Sequence, residues 1–302
     1  MLDTAEYRDK LQEKVVVVTG AASGLGKALS EHLAEHGSKV FLVDISPSVE
    51  QVAEELNRQH PESAGWAVCD LCQVHLLQGL FDRAVERFGH IDIVVNNAGI
   101  ANERSLFSQP DHRELEQIVH VNLLAPMEAT RIAVRYFRET GRPGVVVNTA
   151  SVGGLLPVSI MESYGTTKAG LIFFTRSCRG LAPQIRVNAV APSFANTPLV
   201  AQNRLVSGYP FLSSVGLMGR TKVVRAMLRA MCDDTLAGDT LMVAMGRLPE
   251  KITFHDEVLA RVASYIAGGA ISKYTSVLGT LFARALDGAL GLVRRRIPDK
   301  DE

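Results

Sequence analysis

Short apolar runs recur along the chain, and each is followed by a turn and then a stretch of helical period. The first, Val15-Val16-Val17-Val18, is wholly apolar and β-branched. It does not alternate with polar residues, which marks a strand covered on both faces, as in a parallel sheet. Val40 to Asp44, Trp66 to Asp70, Ile91 to Val95, Val145 to Ala150, Ile185 to Val190 and Thr240 to Met245 repeat the pattern. Between them, helical periodicity runs over Lys27–His36, Val49–Gln59, Val74–Phe88, Leu115–Phe137, a segment carrying Tyr164 as far as about Cys178, and Val223–Cys232. Strand, helix, strand with short connections predicts an α/β fold. We expect a doubly wound parallel sheet of about seven strands with helices on both faces. Residues 1–13 read as a polar lead-in and 14–246 as the main domain. Residues 247–302 read as a helical extension, in which Leu278, Leu281, Phe282, Ala285, Ala289, Leu292 and Val293 recur at helical spacing before Arg294-Arg295-Arg296.

In such a sheet, ligands sit beyond the carboxyl ends of the strands. Thr19-Gly20-Ala21-Ala22-Ser23-Gly24-Leu25-Gly26 stands at the first of those ends and opens a helix. That is the context a dinucleotide fingerprint requires, and it makes the expected fold Rossmann-like. Gly20 permits the tight turn, and Gly24 and Gly26 let backbone approach a pyrophosphate and let the helix pack close. The helix N-terminus offers its free N–H groups to the anion. Asp44 ends the second strand, 24 residues after Gly20, near the roughly 20-residue offset of an acid that binds an adenosine ribose. A carboxylate there accepts from the ribose hydroxyls and repels a 2′-phosphate. No basic residue lies between Gly20 and Gly26 or in Ile45-Ser46-Pro47, so NAD is expected rather than NADP.

Composition narrows the class. Hydrophobic residues make up 47% and charged residues 21%, enough for a sizeable core. Lysine plus arginine equals aspartate plus glutamate at 32 each, which gives no electrostatic case for a nucleic-acid partner. Cys69 and Cys72 have redox spacing, but they follow a strand-like run without a second pair, so neither a redox role nor a metal is expected. The polar start, Met1 to Lys14, does not read as a signal peptide, and a cytoplasmic location is the expectation. Arg284 and Asp287 interrupt any run in the extension long enough to span a bilayer. Packing on the core or on a second subunit is expected there, with peripheral membrane contact as the alternative.

Tyr164 and Lys168 stand four residues apart, on one face of a helix. A phenol titrates near ~10 and is a poor acid or base at neutral pH. A neighbouring ammonium could bring it within reach by stabilising the phenolate. Taken with Asn96-Asn97-Ala98-Gly99, Asp70-Leu71 and the glycine turn, this pair resembles the short-chain dehydrogenase/reductase family of the ordinary ~250-residue type. The resemblance spans about residues 15–246 and implies a catalytic tetrad: Asn122 supporting a proton-relay water, Ser151 on the substrate oxygen, Tyr164 as acid/base and Lys168 beside it. It also implies cofactor contacts from Gly20, Ser23, Gly24, Leu25, Gly26, Asp44, Asp70, Leu71, Asn97, Ala98, Gly99, Tyr164, Lys168, Pro192 and Thr197. Ser193 stands where the family usually has glycine. Ser151, Tyr164 and Phe194 are expected to meet the substrate. The segment 198–220 is rich in Leu199, Val200, Tyr209, Phe211, Leu212, Leu217 and Met218. With Leu155, Leu156 and Met161 it implies an apolar pocket for a hydrophobic secondary alcohol or its ketone. The same residues run backward would make a carbonyl reductase. A non-catalytic nucleotide-binding regulator is the alternative from another class. The family implies a homodimer or homotetramer.

Overall fold

A computed structural model describes residues 5–102, 105–109, 111–157, 161–201, 203, 217–244 and 249–252. The strands are β1 (Val15–Thr19), β2 (Lys39–Asp44), β3 (Ala64–Val68), β4 (Ile93–Asn96), β5 (Gly144–Thr149), β6 (Ile185–Pro192), β7 (Thr240–Val243) and β8 (Glu250–Lys251). They form one sheet in the order β3-β2-β1-β4-β5-β6-β7-β8. All pairs are parallel except β7 with β8. The order reverses beside β1, where β1 pairs with both β2 and β4, and a crevice forms at such a point.

The unbroken apolar strands are explained by helices on both faces. On one face Val16, Val18, Val40 and Leu42 share a core with α2 (Gly24–Glu35), α3 (Val49–Gln59) and α9 (Arg220–Cys232). On the other, Val17, Phe41, Val43 and Val94 pack with α4 (Leu77–Phe88) and α6 (Ala125–Thr140). Helix α7 (Glu162–Ser177) adds Ile172 to a smaller cluster with Ala189 and Ala191, and a single turn, α8 (Pro198–Ala201), follows β6. Burial at about 25 cal/mol per Å² is what holds such strands in register.

The structure departs from the sequence expectation in four places. The lead-in contains α1 (Ala5–Leu11), whose Tyr7 and Leu11 are buried in the first core. The third strand starts two residues early and stops at Val68, so Asp70 lies beyond it in a turn. The helix expected over Leu115–Phe137 is three pieces: α5 (Arg113–Val119), a π turn over His120–Leu124, and α6. The local reason is Pro126, which has no N–H for the carbonyl of Asn122 and whose ring crowds it. The fourth is β8, formed by residues placed in the extension. Most of that extension, residues 253–302, and the lid residues Tyr209, Phe211 and Leu212 lie outside the described residues. No helix among the described residues is long and apolar enough to cross a membrane.

Candidate active site

The carboxyl ends of the central strands open on a cavity of about 590 Å³. At one end is the glycine turn. Gly20 and Gly24 have φ of +67° and +58°, values that favour glycine. A Cβ on Gly20 would lie 2.8 Å from the Ala98 Cα, so β1 and β4 meet there backbone to backbone. Asn97 fastens the junction: its Nδ2 donates to the carbonyls of Thr19 and Gly20 at 3.0 and 3.2 Å. The Thr19 hydroxyl accepts from the backbone N–H groups of Asn97 and Ala98. The Asn97 amide is thus spent on the turn, although the residue lines the cavity.

Gly26 corrects an expectation. It does not line the cavity, and a Cβ there would meet the Gly20 oxygen at 2.1 Å. Its role is close packing of α2 on the turn. Ser23, Gly24 and Leu25 do line the cavity. Ser23 makes no side-chain cap to α2, and the first turn holds no acidic residue. The end of α2 therefore presents uncapped N–H groups and an uncancelled positive dipole to an anion. Asp44 closes this end. Its carboxylate accepts from Ala22 N and Ser46 N, each at 2.9 Å. A carboxylate has about four acceptor sites, so capacity remains for a diol. Asp70 and Leu71 line the same wall. The residues present fit a dinucleotide: an open helix end for the pyrophosphate, and a fixed carboxylate for the ribose.

At the other end lie Ser151, Tyr164 and Lys168. Lys168 is buried, and its Nζ donates to the Thr149 carbonyl at 2.7 Å. Burial pulls its pKa down to about 8. The ammonium lies 5.7 Å from the centre of the Tyr164 ring. Burial pushes the Tyr164 phenol up, and a hydrogen bond with Ser151 acts the other way. The phenol is therefore protonated at neutral pH in the protein alone, contrary to the expectation that Lys168 by itself makes it acidic. Ser151 lies just beyond β5, at the cap of a 3-10 turn over Val152–Gly154, and accepts from Gly153 N at 3.1 Å.

Asn122 sits in the π turn, a feature frequent at functional sites. It is wholly buried and does not line the cavity. Its amide exchanges two bonds with the backbone of Ile100, at 2.9 and 2.8 Å, and donates to Thr167 Oγ1 at 3.3 Å. It thereby pins the loop after β4 to α7. Gly99 makes room for it: a methyl there would lie 3.2 Å from Lys168 Nζ and 3.3 Å from Asn122 Oδ1.

Sequence reading missed the glycine contact that sets Ser151 against Tyr164. Cβ atoms on Gly154 and Gly165 would strike the backbone of Lys168 at 2.6 Å and of Gly153 at 2.9 Å. The only signal was a pair of glycines after Ser151 and one after Tyr164. Pro192, Thr197 and Phe194 line the cavity, as do Ser193, Leu156, Met161, Leu199 and Val200. Leu155 does not; it packs against the small core. Met218 is buried and Leu217 is exposed.

Residues 14–206 match the family model described as short chain dehydrogenase. The chain belongs to the short-chain dehydrogenases. It is thereby an oxidoreductase. This dehydrogenase is 29% identical to rat 15-hydroxyprostaglandin dehydrogenase [NAD(+)] over 253 residues, 78% of this chain and 92% of that one. It is 37% identical to cis-4-hydroxycyclohexanecarboxylate dehydrogenase of Sinomonas cyclohexanicum, over 63% of this chain and 76% of that one. The solved structure of a 3-ketoacyl-(acyl-carrier-protein) reductase from Brucella melitensis, complexed with NADH, superposes with a TM-score of 0.69 at 28% identity. It covers 78% of this chain and 99% of the reductase.

Proposed function

We propose that this short-chain dehydrogenase oxidises a hydrophobic secondary alcohol to its ketone with NAD, through Tyr164. The observation that carries the proposal is the meeting of Ser151, Tyr164 and Lys168 where the cavity wall turns apolar. NAD is supported by the relatives named for it and by Asp44, which would repel a 2′-phosphate. When bound, NAD supplies the hydride acceptor. Tyr164 gives up its own proton to solvent before it takes the hydroxyl proton of the substrate, and in reverse the phenol returns that proton to the ketone oxygen. Ser151 donates to the substrate oxygen as charge develops there. Lys168, tethered to Thr149, holds positive charge beside the ring. Asn122 braces the loop that carries the cavity wall at Ile100.

The substrate end offers Leu156, Met161, Phe194, Leu199 and Val200, and Lys168 is the one cation among the described residues that line the cavity. A hydrophobic body carrying the hydroxyl suits it. Val119, Leu124 and Met127 near the π turn, and Phe173 on α7, are exposed apolar side chains, which suits a homodimer or homotetramer through that face. A second reading rests on one observation: the phenol is held protonated, the form that donates to a ketone. Turnover of steroid, terpenoid and long-chain secondary alcohols with NAD tests the proposal against reduction of the matching ketones with NADH. Alcohol oxidation as the faster direction at neutral pH supports it. Faster reduction would make the protein a carbonyl reductase. NADH binding with no turnover in either direction would make it a nucleotide-binding regulator.

A further inference from the structure

We propose that His32, Glu35 and His36, at the C-terminal turn of α2, bind one divalent transition-metal ion of the zinc class. The site lies at the opposite end of the helix from the glycine turn. Positions i, i+3 and i+4 share a helix face. Each residue offers one ligand atom, and the three atoms lie within 4.8 Å of one another. Ligands about 2.0–2.2 Å from a tetrahedral zinc are roughly 3.4 Å apart. Closing to that spacing takes a side-chain adjustment at the exposed Glu35 and at the two imidazoles, whose ring centres lie 4.1 Å apart at 34°.

The two imidazoles are already set for the task. His36 Nδ1 lies 2.8 Å from the His32 carbonyl. Nδ1 therefore carries the proton and Nε2 keeps its lone pair, as when a metal-bound histidine donates its second nitrogen to a backbone carbonyl. His32 is half-buried. Its Nδ1 is 3.8 Å from Glu35 Oε2, and its Nε2 is buried without a hydrogen-bond partner.

The last carbonyls of α2 form the negative end of its dipole. Glu31, Glu35, Glu55 and His60 line the adjoining groove against α3, where Lys27 pairs with Glu31 and Glu55. Two imidazoles and one carboxylate select zinc, nickel or copper over magnesium or calcium.

The test uses the full chain, stripped with chelator and titrated calorimetrically with zinc chloride, with thermal melts in parallel. We expect one zinc per chain and a raised Tm, because an ion that binds only the folded state stabilises it by mass action. The double variant His32→Gln/His36→Gln should bind zinc at least 100-fold more weakly and lose the Tm rise. It should bind NADH as the parent does, which shows that it is folded. Cys72→Ser should keep the site. Absence of saturable zinc binding overturns the proposal. So does binding that survives the double substitution, binding lost with Cys72→Ser, or equal binding of magnesium.

Discussion

Two buried cations show how this molecule treats the two edges of its sheet at which strands begin and end. Arg186, second in β6, lies at the edge where strands begin, away from the cavity. Its guanidinium donates to the carbonyls of Ala230, Met231, Asp233 and Leu236, and pairs with Asp234 at 3.2 Å. It closes the end of α9 and is saturated. Lys168, at the cavity edge, is as deeply buried and has one acceptor among the described residues, the Thr149 carbonyl. Its burial is incompletely offset, which is why its pKa falls to about 8. A fixed cation satisfied on all sides stabilises the fold. A cation left short of partners is held ready for a charge that arrives with the substrate.

The largest expected effect tests the unsaturated edge. Tyr164→Phe keeps the ring and removes the proton carrier. Turnover should fall by about 10²- to 10⁴-fold, the range for a positioned acid/base group, while NADH still binds. Turnover within threefold of the parent would remove Tyr164 from the chemistry. Next comes the saturated edge. Arg186→Met leaves the carbonyls of Met231 and Asp233 without that donor, while those of Ala230 and Leu236 keep the Asn188 amide, and buried acceptors left unpaired cost about 1–3 kcal/mol each. Some of them will find water, so we expect a net loss near 3 kcal/mol in urea unfolding. Activity per folded molecule should stay within twofold. Unchanged stability, or a selective loss of turnover, would erase the contrast between the edges.

The contrast was half legible in the sequence. The strand runs, the glycine turn, Asp44 and the spacing of Ser151, Tyr164 and Lys168 are local or periodic signals, and the structure brings them to one cavity. Nothing periodic announces Arg186, because its partners lie about 45 residues away and are backbone carbonyls, which every residue has. The π turn was hidden by a helical pattern that continues across it. Pro126 was its only trace. Gly26 was read both as a phosphate contact and as room for close packing, because motif and packing share one residue. The Cβ clash with Gly20 separates the roles. The direction of the Tyr164 shift depends on how dry the site is, and burial is a tertiary property.

A smaller effect, of opposite sign to that of Arg186, is expected at Lys168. The fall from 10.5 to about 8 corresponds to about 3 kcal/mol of native-state cost at pH 7. Lys168→Met removes that cost but leaves the Thr149 carbonyl unpaired, which returns about 1–2 kcal/mol. The variant should be more stable by about 1–2 kcal/mol at pH 7 and nearly inactive. Between pH 8 and 10.5 the unfolded chain still holds the lysine proton that the folded protein has released. Parent stability therefore gains with pH over that window relative to the variant, and the difference between them should shrink and then change sign. A variant less stable than its parent at pH 7 would show that Lys168 is as well satisfied as Arg186.

Asp44 is the intermediate case and the smallest expected effect. It lies at the cavity edge, yet both oxygens already accept backbone N–H groups. Removing the charge therefore has two consequences, which two variants separate. Asp44→Asn keeps one acceptor for the turn and abolishes repulsion of a 2′-phosphate. Asp44→Ala removes both. If the carboxylate acts mainly on the ribose, both variants should lose about tenfold in NAD affinity, or ~1.4 kcal/mol, and both should gain tolerance for NADP. If it acts mainly as a turn brace, Asp44→Ala alone should lose stability and neither should accept NADP. The measurement is the ratio of kcat/KM for the two cofactors, beside a thermal melt. A parent that already prefers NADP would overturn the assignment of this residue. A gain in NADP use by Asp44→Asn without loss of Tm would place Asp44 with Lys168, among the charges kept open for a ligand.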